Sequence, residues 1–89
     1  MLFMLCRHRV ENYERWHKIF ASHAGAQRAA GLHLLHLMHE PGDPNSLVYL
    51  FRVDDLAKMR GFTESPEAVE AGRVSGVIGV PEIVLLMDD

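Results

Sequence analysis

Four stretches of this chain are apolar at consecutive positions, so strands built from them would avoid water on both faces. Residues in a strand point alternately to opposite sides, and each face can be read by parity. Between Glu82 and Met87, one face carries Ile83, Leu85 and Met87 and the other carries Val84 and Leu86. Between Leu47 and Val53, Val48 and Leu50 oppose Leu47, Tyr49, Phe51 and Val53. The first stretch sets Leu2, Met4 and Cys6 against Phe3 and Leu5. The stretch from Leu32 to His39 sets Leu32, Leu34 and Met38 against Leu35 and Leu37. An antiparallel sheet with one wet face alternates apolar and polar residues, and this sequence does not.

The segments between the strands are helical in pattern. Asn12 is placed to cap a helix whose first turn holds Glu14. Tyr13, Trp16, Phe20, Ala24 and Gln27 recur at three- and four-residue spacing, and Gly31 ends the run. Pro41-Gly42-Asp43-Pro44-Asn45-Ser46 is turn vocabulary throughout and predicts a hairpin between the second and third strands. Asp54 and Asp55 cap a second helical segment with Leu56, Met59 and Phe62 on its apolar side. Ser65-Pro66-Glu67 restarts that segment, which runs to about Val74. Gly76, Gly79 and Pro81 predict a bend into a last strand over Glu82 to Met87. The order is β-α-β-β-α-β, which predicts a ferredoxin-like α+β fold: a four-stranded antiparallel sheet with both helices on one face.

With 89 residues, there is room for one domain, spanning residues 1–89. Two helices cover one sheet face, which leaves the other apolar face bare. Burying ~800 Å² of it per subunit would contribute on the order of 20 kcal/mol before association costs. A homodimer formed sheet to sheet is the expectation, and a hydrophobic share of 48% is consistent with it.

Charge excludes some functions. Nine Lys and Arg against twelve Asp and Glu give a net charge of −3 with no basic cluster. Neither nucleic acid nor an anionic membrane is an expected partner. An RNA-recognition motif shares the element order, but Val53 stands where that motif wants a third aromatic residue. The single cysteine, Cys6, permits no intrachain disulfide, and no run approaches the ~18 apolar residues of a membrane span. A cytoplasmic location is expected.

The spacing Arg7-His8-x-Val10-x-x-Tyr13-x-x-Trp16-x-x-x-Phe20, with His23, Arg28 and Gly31 beyond it, resembles the dimeric α+β barrel superfamily. Asp43-Pro44-Asn45, Asp54-Asp55-Leu56, Phe62-x-x-Ser65-Pro66-Glu67 and Gly76-Val77-x-Gly79-x-Pro81-Glu82 extend the resemblance over nearly the whole chain. That superfamily includes antibiotic-biosynthesis-type monooxygenases and some polyketide cyclases. The resemblance implies two sheets facing each other across a dimer and a pocket between helices and sheet in each subunit. It also implies flat, quinol-like substrates handled without flavin or metal. Haem-degrading members use an Asn, a Trp and a haem-ligating His. Here Asn12 and Trp16 share the first helix and the second holds no histidine, a departure that argues against haem.

Six histidines invite a metal hypothesis. Regular strand geometry puts His33 and His36 on opposite faces, while His33 and His39 share a face ~20 Å apart. No CxxC or HExxH spacing occurs, so no metal is expected. His8 and His36 lie beside apolar strand residues, where desolvation lowers a histidine pKa and makes a general base. They are the candidate catalytic residues. Tyr13, Trp16 and Phe20 form an aromatic stripe that packs as core or lines a cavity beneath the first helix. His23 would stand at the cavity rim, with Met59 and Phe62 closing it from the second helical segment. Arg52, a lone charge in an apolar strand, would bind a carboxylate or phenolate or pair with Glu40 or Asp54. Two functions fit these residues: a cofactor-independent oxygenase or cyclase acting on a flat aromatic molecule, and a non-catalytic ligand-binding or stress-related module.

Overall fold

A computed structural model describes residues 1–88. The elements are β1 (Leu2–Val10), α1 (Tyr13–Ser22), α2 (Ala24–Ala29), β2 (Leu32–Glu40), β3 (Asp43–Val53), α3 (Leu56–Thr63), α4 (Pro66–Val74) and β4 (Val77–Met87). They make the expected α+β arrangement, a four-stranded sheet in the order β2-β3-β1-β4 with every neighbouring pair antiparallel. No helix among the described residues is long and apolar enough to cross a membrane.

The helices begin where the sequence places their caps. Asn12 accepts from the Arg15 backbone N–H, Asp55 from Lys58 and Ser65 from Ala68. One expected helix, however, is two. The Ile19 carbonyl, which a continuous helix would offer to the His23 N–H, is taken by the Ser22 hydroxyl at 2.6 Å and by His23 Nδ1 at 2.8 Å. The His23 N–H bonds to Phe20 instead. Local side-chain competition of this kind breaks a helix, and α1 ends at His23 with α2 starting at Ala24.

Three strand boundaries also differ from expectation. The β2–β3 turn is the two residues Pro41-Gly42, with Gly42 at φ 79°, and Asp43 to Ser46 belong to β3. The Asp43 carboxylate meets Arg9 at 2.9 Å, and Asn45 Oδ1 accepts from the Tyr13 backbone N–H. Residues that read as turn are therefore fixed by long-range partners. In β2, register slips between Leu34 and His36. The resulting bulge places His33 opposite Arg52 and His36 opposite Leu50, on one face, and His39 opposite Leu47, on the other. The parity expected beyond Leu34 is reversed by that extra residue.

The third difference lies in β4, which begins at Val77 rather than Glu82. Arg7 pairs with Glu82 and Arg9 with Ile78, so Gly79, Val80 and Pro81 all stand against His8 alone. Gly79 has φ 73°, a conformation that only glycine adopts freely, and Val80 projects outward with 94% exposure. Pro81 has no N–H to lose, and β4 is an edge strand, where proline is tolerated.

The helices cover the face of Met4, Cys6, His8 and Val10 on β1 and Leu47, Phe51 and Val53 on β3, all buried. One core cluster joins Met4, Cys6, Leu32, Phe51, Val53 and Met59, and a second joins Val10, Trp16 and Leu47. Among the described residues no element covers the opposite face. Register places Phe3 and Leu5 of β1, Val48 and Leu50 of β3, and Val84 and Leu86 of β4 there.

Candidate active site

Between α1, α4 and the covered sheet face lies a cavity of about 230 Å³. Its floor is strand: Met4, Cys6 and His8 from β1, Tyr49 and Phe51 from β3. Its walls include Trp16, Phe20, His23 and Gln27 from the first helical pair and Phe62, Ala68 and Ala71 from the second. Pro81 and Ile83, at the β4 bulge, border it on the open side.

His8 stands where that bulge leaves β1, 8% exposed. Its Nε2 lies 2.9 Å from the Tyr49 hydroxyl and its Nδ1 3.4 Å from the Arg9 carbonyl. A carbonyl only accepts, so Nδ1 carries the proton of the neutral ring, and Nε2 accepts from Tyr49. Trp16 and Tyr49 pack edge-on against the imidazole, with centroids at 5.7 and 5.5 Å. Burial lowers the His8 pKa below 6.5, with the Arg9 carbonyl opposing the shift. The ring is therefore neutral near pH 7 and basic.

Tyr49 is held as a phenol. Burial raises its pKa well above the ordinary value, reinforced by Cys6 opposite it across the strands. The Cys6 thiol is pushed up to about 12 by burial, the Tyr49 hydroxyl offsetting part of that rise. A thiol in that state is not a nucleophile. What the floor provides is a neutral imidazole with a neutral phenol on its basic nitrogen.

Among the expected site residues, His8, Trp16, Phe20, His23 and Phe62 all reach the cavity. Trp16 is stacked on Phe20, with centroids 4.6 Å apart and planes at 23°. Tyr13 does not line it; the ring packs behind Trp16 at 6.0 Å and stacks on His17 at 5.5 Å. Met59 is core, 4% exposed, and its sulfur accepts from the Thr63 hydroxyl at 3.8 Å. His36 and Arg52 are on the uncovered face, opposite Leu50 and Phe3 respectively, and neither can touch a molecule in the cavity. The β2 bulge carries His36 there. Arg52 instead approaches Asp54 at 3.7 Å, and Asp54 also meets His33 at 2.6 Å. No group of three or more His, Cys, Asp or Glu is placed to hold a metal among the described residues.

Tyr49 and Gln27 were missing from the expected site. Tyr49 was readable in principle, because it is a phenol on the same face as Phe51 and Val53, which must lie beneath a helix. Gln27 continued the apolar stripe of the first helix and was indistinguishable from a tolerated polar residue.

The His8 environment sets a pH dependence for stability. Its folded pKa is below the unfolded ~6.5, so between these values the unfolded chain binds more protons. Stability is then full above pH ~6.5, falls as pH drops toward the folded pKa, and levels off below it. Urea unfolding at fixed protein concentration from pH 7.5 to 5 checks this. His8→Gln, which cannot titrate, should lose the part of the slope that wild type shows in that window.

A comparison of sequence alone finds no matching family profile and no similar curated protein. Comparison of folds is informative. A Bordetella bronchiseptica protein named as a candidate antibiotic biosynthesis monooxygenase superposes with a TM-score of 0.79 at 13% identity, covering 99% of this chain and 96% of that one. A variant of SnoaB, a cofactor-independent oxygenase from Streptomyces nogalater, superposes with a TM-score of 0.70 at 18% identity, covering 98% and 91%. An uncharacterised NIPSNAP domain protein from Burkholderia xenovorans matches equally, at 0.70 and 18%, over 100% and 95%. This chain thus shares its fold, a four-stranded antiparallel sheet covered on one face by helices, with these solved proteins.

Proposed function

We propose that this protein is a cofactor-independent oxygenase of flat hydroxyaromatic molecules, with His8 as general base and Tyr49 as the group through which the proton reaches it. The observation that carries the reading is the His8–Tyr49 hydrogen bond of 2.9 Å on the floor of an aromatic-walled cavity. A binding module needs the cavity but not a neutral imidazole aligned with a phenol. The fold shared with SnoaB, a cofactor-independent oxygenase, supports the same reaction class.

In this reading a substrate hydroxyl or activated C–H meets Tyr49 Oη, and the proton passes to Tyr49 as the phenolic proton moves to His8 Nε2. The resulting carbanion is electron-rich enough to reduce dioxygen. One C–O bond forms to give a hydroperoxide, and loss of water leaves a ketone. The balance is CH₂ + O₂ → C=O + H₂O, with one oxygen atom in the product and one in water. The apolar walls favour the step by excluding water from the anion, and Trp16 with Phe20 presents an aromatic wall to the substrate ring.

Oxygen uptake with anthrone- and naphthol-type substrates measures this. His8→Ala should lower kcat by roughly 10²–10⁴-fold, the usual contribution of a positioned base. Tyr49→Phe should lower it at least about tenfold with a smaller change in KM. Turnover by His8→Ala at the wild-type rate contradicts the assignment.

The uncovered face supports a second part of the proposal, that the working unit is a homodimer joined sheet to sheet. Phe3, Leu5, Val48, Leu50, Val84 and Leu86 form a patch that a lone subunit leaves in water. Its margin is polar, with Arg7 near Glu40 at 3.5 Å and Arg9 bonded to Asp43, as at the rim of an interface. Sedimentation at micromolar concentration should give twice the 10.1 kDa chain mass. Leu5→Glu should return the monomer mass or abolish folding. A monomeric wild type rejects the dimer without touching the cavity chemistry.

A further inference from the structure

Gln27 is 8% exposed and lines the cavity, yet its side-chain amide has no hydrogen-bond partner among the described residues. Among the described residues no side-chain nitrogen or oxygen is sealed off unpaired, so the amide's polar atoms are open to solvent where Gln27 lines the cavity. Beside it, His23 donates from Nδ1 to the Ile19 carbonyl at 2.8 Å, which leaves Nε2 as a free acceptor in the neutral ring. His23 lines the same cavity.

These two groups are at the opposite end from His8. Trp16 touches His8, Phe20 one turn later touches Tyr49 and Phe51, and His23 closes the helix. Trp16 to His23 is ~10 Å along the axis at ~1.5 Å per residue, and Gln27 is a further turn on, in α2. The slot is therefore polar at both ends and apolar between.

We infer that Gln27, assisted by His23, hydrogen-bonds a second polar substituent of the substrate, and that the site takes flat aromatic compounds bearing a hydroxyl or carbonyl at each end. The inference rests on the reading that the reacting end faces His8 and Tyr49. A ligand that bonds this amide replaces the water that reaches it, whereas a ligand without the second group displaces that water and leaves the amide unpaired. Gln27 is in this sense a specificity-determining residue.

Titration calorimetry under anaerobic conditions tests this without any turnover, so it succeeds or fails independently of the oxygenase assay. Wild type should bind 2,6-dihydroxynaphthalene about tenfold more tightly than 2-naphthol, the scale of one well-satisfied buried hydrogen bond. Gln27→Met keeps length and helix propensity and should shrink that preference to within about twofold. Equal affinity of wild type for diol and 2-naphthol overturns the inference even if the variant fails to fold. An unchanged preference in Gln27→Met, or equal weakening of both ligands, overturns it as well.

Discussion

The central strand β1 has to satisfy two apolar layers at once, and the rest of the molecule follows from how it does so. Flanked by β3 and β4, it presents Met4, Cys6, His8 and Val10 to the helices and Phe3 and Leu5 to the uncovered side. Two helical pairs suffice for one layer only. A histidine on the covered side of such a strand is necessarily desolvated, and it must find partners within the layer. His8 finds Tyr49 and the Arg9 carbonyl. The same constraint that drives burial therefore generates the base.

The β4 bulge is what turns a core into a site. With regular pairing, β4 would run flush along β1 and close the layer beside His8. Three residues against one push the edge strand outward there, and Pro81 and Ile83 border the opening. Opposite, the helix breaks at His23, and His23 and Gln27 line the cavity from either side of that break. Two local irregularities, each with an identifiable cause in side-chain or backbone chemistry, thus bound the cavity on both sides.

Much of this was legible in the residues. The element order, the helix caps at Asn12, Asp55 and Ser65, and the excess of apolar strand surface come from periodicity and turn chemistry, which are local. Trp16, Phe20 and His8 were found because a stripe and a parity fix the side on which a residue stands. What failed was anything that depended on a shift of register. Parity puts His36 on the covered face with Leu34, but one bulged residue moves it and every later side chain of β2 to the opposite face. Arg52 followed the parity rule, but which face lies beneath the helices is a tertiary fact. Asp43 to Ser46 read as turn because their composition is that of a turn, whereas Arg9 and Tyr13 hold them extended. Tyr49 became a site residue only when strand pairing set it beside His8.

The account stands or falls on the state of one imidazole. Nitrogen-15 NMR of the His8 ring, in protein labelled at histidine, reads its protonation and tautomer directly. The geometry predicts a neutral ring at pH 7 with the proton on Nδ1, titrating below 6.5, and an Nε2 shift that responds to Tyr49→Phe. A ring doubly protonated at pH 7, or one whose Nε2 is indifferent to loss of the Tyr49 hydroxyl, would contradict it.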